Sequence, residues 1–69
     1  MQTELLIIKD GKEYIRAKDD TFIKCGLDKA SVFPMSKFEE VKTMVKTLHN
    51  QGLTSACIKK LKLIEEDLR

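Results

Sequence analysis

Tryptophan is absent from this chain, proline and histidine each occur once, cysteine twice and glycine three times. Each shortage removes a class of function. Aromatic residues make up only 6% of the chain, and Tyr14 and Phe22 fall on opposite faces of the strands expected below. That argues against a stacking platform for single-stranded nucleic acid, which needs several aromatics on one exposed face. Cys25 and Cys57 match no zinc or redox spacing, and with His49 they fall short of a four-ligand zinc site. Both read as reduced thiols packed as small hydrophobes. A disulfide-stapled secreted miniprotein would carry more cysteines and an export signal. Gly11, Gly26 and Gly52 are each accounted for by a turn or a helix end, so none is left for a phosphate-cradling loop. The longest apolar run, Leu5 to Ile8, is too short for a membrane span or a signal-peptide core. A cytoplasmic protein with no membrane partner is therefore expected. Thirteen Lys and Arg against eleven Asp and Glu leave a net charge of +2, far from the clustered excess of a dedicated nucleic-acid-binding domain.

What is present reads as one domain spanning residues 1–69. Hydrophobic residues at 42% and charged residues at 35% suit a folded domain rather than a disordered segment. A chain this short buries only about 60% of its unfolded surface, so its stability margin is thin and self-association is one route to more buried area.

The clearest element lies in Val32 to Gly52, VFPMSKFEEVKTMVKTLHNQG. Pro34 holds the residue before it out of helical geometry. Ser36 is the expected N-cap, with Glu39 three residues on completing a capping box. Phe38, Val41, Met44, Val45 and Leu48 recur at helical spacing and make one apolar stripe. Gly52 ends the helix, and Leu53 supplies the apolar contact that accompanies a glycine stop.

Ahead of it, TELLIIK over residues 3 to 9 meets Asp10-Gly11, a strong two-residue hairpin signal. That turn sets Ile7 opposite Tyr14, Leu6 opposite Ile15 and Leu5 opposite Arg16, with a second strand from Lys12 to Lys18. Asp19-Asp20 is the next turn and Thr21 to Cys25 a third strand, setting Arg16 opposite Ile23 and Ala17 opposite Phe22. Leu6, Ile8, Ile15, Ala17 and Phe22 then share one side, the expected core. The other side carries Leu5, Ile7, Tyr14, Arg16, Ile23 and Cys25. An apolar sheet surface not used by the core needs an explanation, so Leu5, Ile7, Tyr14, Arg16 and Ile23 are the candidate protein-contact residues. Gly26 to Lys29 reads as a turn and Ala30 to Phe33 as a short strand or extended approach.

The tail, Ser55 to Glu66, has two readings. As a closing strand it carries Leu61 and Leu63 on one face and Ile58 and Ile64 on the other, with a bulge near Lys59-Lys60. At helical period, Cys57, Ile58, Leu61, Ile64 and Leu68 share a side but Leu63 is stranded. The strand is favoured because it protects a sheet edge. The expected fold is α+β: a small antiparallel sheet in the order β-β-β-(β)-α-β with one amphipathic helix on one face.

No constellation here demands a particular chemistry. His49 sits in the last helical turn, where a cation is favoured by the exposed carbonyls, and no nucleophile or orienting carboxylate is placed beside it. A thiolate pair of His49 with Cys25 or Cys57 is the one nucleophilic arrangement available; packing and surface roles account for all three residues. Glu65-Glu66-Asp67 could attract a divalent cation, yet a terminal charge run is ordinarily solvated. No metal, cofactor or catalytic residue is expected. Lys42, Lys46 and His49 line one border of the helix stripe, and Lys59, Lys60 and Lys62 could extend that ridge. These five lysines carry the alternative reading, a small nucleic-acid-binding protein whose affinity falls steeply with salt. Solvation is their ordinary role.

The hairpin IIKDGKEYIR, the segment LDKASVFPMSKFEEVKTMVKTLHNQG and the lysine-rich apolar tail together resemble small uncharacterised proteins of phages, prophages and other mobile elements of Gram-positive bacteria. The likeness runs over nearly the whole length and rests on structural motifs. It implies an accessory protein that binds a host protein, such as a defence system or another host factor, in the host cytoplasm. It carries over no functional residue. The leading expectation is a non-enzymatic interaction module that binds a host macromolecule and self-associates as a homodimer.

Overall fold

A computed structural model describes residues 2–19 and 21–68. The fold is α+β. Strands β1 (Gln2–Asp10), β2 (Glu13–Lys18) and β3 (Thr21–Cys25) come first. Then follow a 3₁₀ turn at Leu27–Lys29, strand β4 (Val32–Pro34), a 3₁₀ turn at Met35–Lys37, helix α1 (Phe38–Asn50) and strand β5 (Ala56–Ile64). All five strands belong to one antiparallel sheet with α1 packed on one face.

The first hairpin turns one residue later than the Asp-Gly signal implies. Asp10 pairs with Glu13 and Lys9 with Tyr14, so Gly11 and Lys12 form the loop. Gly11 has φ 64° and Lys12 is not positive, the pattern of a turn that wants glycine first. Asp10 is freed from the turn to end β1, where its shielded carboxylate meets Lys24 at 3.3 Å. Each side chain keeps its expected face, because the partners shift by two positions. The β2–β3 pairing is as read, with Arg16 opposite Ile23 and Ala17 opposite Phe22. Asp19 adopts φ 49° in the turn; Asp20 lies outside the described residues.

Beyond Lys9 the expected pairs Ile7–Tyr14, Leu6–Ile15 and Leu5–Arg16 do not form. That side of β1 is taken by β4, which sets Val32, Phe33 and Pro34 opposite Ile7, Leu6 and Leu5. Ser31 joins this inserted strand to β2. Its N–H donates to the Ile15 carbonyl at 3.2 Å. Its Oγ accepts from Ala17 N–H at 2.9 Å and donates to Ala17 O at 3.4 Å. One residue, through its backbone N–H and its hydroxyl, thus stands in for the ladder that β2 loses when it leaves β1. Ser31→Ala strands a part-buried N–H and is expected to cost about 1–2 kcal/mol, read as a lower urea midpoint at constant m.

The helix begins differently from the sequence signal. The chain coils directly after the extended Pro34 through the 3₁₀ turn, and Phe38 N–H bonds to Met35 O. Ser36 therefore sits inside the coil rather than ahead of it. Lys37 holds the cap position without a side-chain cap bond, and no capping box forms. Glu39 instead approaches Lys42 at 3.7 Å. The end is as read: Leu53 N–H bonds to Leu48 O at 2.9 Å and Gly52 N–H to His49 O at 3.1 Å. With Gly52 at φ 96°, this is the Schellman arrangement, and Leu53 packs against the core as its apolar partner.

The tail is a strand, which removes the helical alternative. β5 pairs with β1 without interruption from Gln2–Ile64 to Asp10–Ala56, so the expected bulge at Lys59-Lys60 is absent. The lysines need none, because the helix-side surface is open there: Lys60 reaches Glu4 at 3.4 Å and both side chains remain wet. The core is Leu6, Ile8, Ile15, Val41, Val45, Leu48 and Ala56, flanked by Phe22, Phe33, Met44, Leu53 and Ile58. Of the five stripe residues, Val41, Val45 and Leu48 are buried and Met44 half-buried, whereas Phe38 at the first turn stays exposed.

Candidate interaction surface

Side chains alternate across a strand, so the core assignment also fixes what lies on the far face, away from α1. β1 contributes Thr3, Leu5, Ile7 and Lys9, and β2 contributes Tyr14, Arg16 and Lys18. β3 adds Thr21, Ile23 and Cys25, β4 adds Val32 and Pro34, and β5 adds Cys57, Lys59, Leu61 and Leu63. All five candidate contact residues are therefore on one face, as the strand pattern implies.

Their accessibility differs. Arg16 is exposed, Leu5 and Tyr14 are half-buried, and Ile23 is 49% exposed. Ile7 is only 2% exposed. It occupies the middle of the central strand, flanked by Val32 on one ladder and Lys59 on the other. The expectation that Ile7 touches a partner is corrected: it is a floor residue beneath the surface. Val32, at 48%, and Leu63, at 45%, are exposed on the same face and were not among the candidates. Leu61 lies half-buried opposite Leu5. The signal for Leu61 and Leu63 was the alternation in the tail, which lacked only its pairing partner. Val32 had no such signal, since nothing local shows that β4 inserts beside β1.

The charge on this face has one sign. Lys9, Arg16, Lys18 and Lys59 belong to it, and among the described strand residues it carries no carboxylate. Glu4, Asp10 and Glu13 all fall on the helix side. Lys9 stands 5.3 Å from the Tyr14 ring centroid, holding that ring by a cation–π contact. The far face is thus an apolar strip bordered by cations.

The five lysines of the alternative reading do not share one surface. Lys59 is on the far face, while Lys60 and Lys62 alternate to the helix side. Lys60 pairs with Glu4. Lys42 is held near Glu39 and lies 5.5 Å from the Phe38 ring centroid. Lys46 is exposed on α1.

His49 Nε2–H donates to the Ala56 carbonyl at 2.7 Å and ties the helix end to the start of β5. Cys57 and Cys25 both fall on the far face, with the sheet between them and this imidazole. A shallow concavity of about 290 Å³ lies among Ala17, Lys18, Asp19, Thr21, Phe22 and Met44, with Lys18 and Asp19 its titratable residues. No group of three or more His, Cys, Asp or Glu is placed to hold a metal among those residues, and no described helix is long and apolar enough to cross a membrane. No family model, curated protein or solved structure matches the chain.

Proposed function

We propose that the chain is a non-enzymatic protein-interaction module whose far face receives an acidic protein surface bearing apolar side chains. The observation that carries this reading is the exposure of Ile23, Val32 and Leu63 on a face that, among the described strand residues, carries four cations and no carboxylate. Exposed apolar area rimmed by polar residues is the usual mark of a protein contact site. Like-signed border charges steer an oppositely charged partner and reject like-charged ones. The resemblance to proteins of phages and mobile elements gives the partner a setting, a protein of the bacterial host met in its cytoplasm.

The test is capture from a host lysate by the tagged chain and by an Ile23→Ser, Val32→Ser variant of equal thermal stability. The expected result is an acidic protein retained by the parent chain, lost from the variant, and eluted as salt rises through the range that screens surface charge. Replacing Arg16 and Lys59 by Glu is expected to weaken that capture about tenfold or more. Equal capture by parent and variant would refute the reading. Nucleic acid retained at low salt and released by Lys42→Ala, Lys46→Ala would replace it with the alternative.

A further inference from the structure

The free edge of β5 is the feature that the far-face reading leaves unused. This strand runs for nine residues without proline, glycine or bulge, and among the described residues it is paired only on its β1 side. Alternate residues therefore present N–H and C=O groups outward with no ladder partner. At its far end the sheet thins. β4 reaches β1 only as far as Leu5, so Gln2–Glu4 and Lys62–Ile64 continue as a two-stranded ribbon. Two strands alone are marginal in water, and here they carry Leu63 and Ile64 exposed on opposite faces.

Lysine is a common guard on such an edge, and Lys59, Lys60 and Lys62 serve that purpose against most pairings. A parallel, in-register second copy would set each lysine beside itself. An antiparallel copy centred on Lys60, Leu61 or Lys62 would set lysine opposite lysine. Centring on Leu63 does not. It places Lys60 opposite Glu66 and Lys59 opposite Asp67, with Lys62 opposite Ile64 and Leu63 opposite itself. Every such pair also joins residues of the same face, as an antiparallel ladder requires. Glu66 and Asp67 follow the strand, exposed and outside any ladder in the single chain.

We infer that β5 pairs edge to edge and antiparallel with β5 of a second copy, centred on Leu63, with Glu66 and Asp67 of each copy along Lys60 and Lys59 of the other. The thin ribbon becomes four-stranded at the two-fold axis, and Leu63 and Ile64, exposed in the single chain, each gain a lateral neighbour across it. The two sheets join into one, with Leu63 of both copies side by side on the far face and Leu61 of each opposite Glu65 of the other. This pairing does not rest on the far face binding a partner, since its contacts are backbone groups and the charges of one strand.

Sedimentation equilibrium over a wide concentration range, at low and high salt, tests it. A dimer is expected that weakens with salt. Lys59→Glu with Lys60→Glu is expected to raise its dissociation constant about 30-fold or more, from reversing four exposed pairs. Glu66→Lys with Asp67→Lys should act alike. All four changes in one chain should restore the dimer, a rescue that separates pairing from misfolding. Ile23→Ser, Val32→Ser should leave it intact. A strict monomer at every concentration overturns the inference, as does a dimer indifferent to the charge reversals or one lost with the far-face variant.

Discussion

Leu48→Ala is expected to lower the melting temperature by at least about 10 °C, and at ordinary temperature to leave a substantial unfolded fraction. Leu48 is fully enclosed, at 0% exposure, between α1 and the sheet. Truncating a buried leucine removes its transfer free energy and leaves a cavity, together about 2–5 kcal/mol. A domain of this size holds roughly 3–10 kcal/mol in all, at about 0.05–0.15 kcal/mol per residue. The substitution therefore consumes a large share of the whole. The backbone bonds from Leu53 N–H and Gln51 N–H to Leu48 O survive it, so the loss reports packing rather than the helix stop. Lys46→Ala, on the wet side of the same helix, should change stability by less than about 0.5 kcal/mol. Thermal and urea unfolding of the three proteins decide the matter. A Leu48→Ala midpoint within a few degrees of the parent would mean that α1 does not lie on the sheet as described.

The parts of this fold legible in the sequence are those set by short-range rules. Arg16–Ile23 and Ala17–Phe22 follow from a turn and a period of two. The helix stop follows from Gly52 and Leu53 at the end of an apolar stripe. The misreadings are all cases in which a distant segment, or a stronger neighbour, overrode a local signal. Ser36 and Glu39 have the right spacing for a capping box, but Pro34 starts the coil before Ser36 can cap it. Leu6 and Ile15 have the right parity to share a face, but the turn comes one residue later than its signal, β4 takes the place beside Leu6, and Ser31 bonds to β2 instead. Lys60 breaks the apolar alternation of β5 without a bulge because Glu4 awaits it on an open stretch of sheet. The candidate surface follows the same division. Parity put Leu5, Ile7, Tyr14, Arg16 and Ile23 on one face, which a strand pattern can do. It could not say which of them stand clear of their lateral neighbours, because that depends on β4 and β5 closing against β1 from both sides.

Ile7 is where that distinction has its largest measurable consequence. Ile7→Ala is expected to cost about 2–4 kcal/mol, the range of a core isoleucine, although its side chain belongs to the face away from the helix. Ile23→Ala, on the same face and half exposed, should cost no more than about 1 kcal/mol. Two positions of equal chemistry and parity thus separate by burial alone, 2% against 49%. In urea both variants should keep the parent m value, so the midpoints compare directly. The functional readout should order them the other way. Ile7→Val, which keeps most of the buried volume, should bind the captured partner as the parent does, because its methyl groups never reach the surface. Ile23→Ser should fold nearly as stably as the parent and lose the partner. If Ile7→Ala proved as mild as Ile23→Ala, the middle of β1 would be open rather than enclosed by Val32 and Lys59, and Ile7 would return to the set of contact residues.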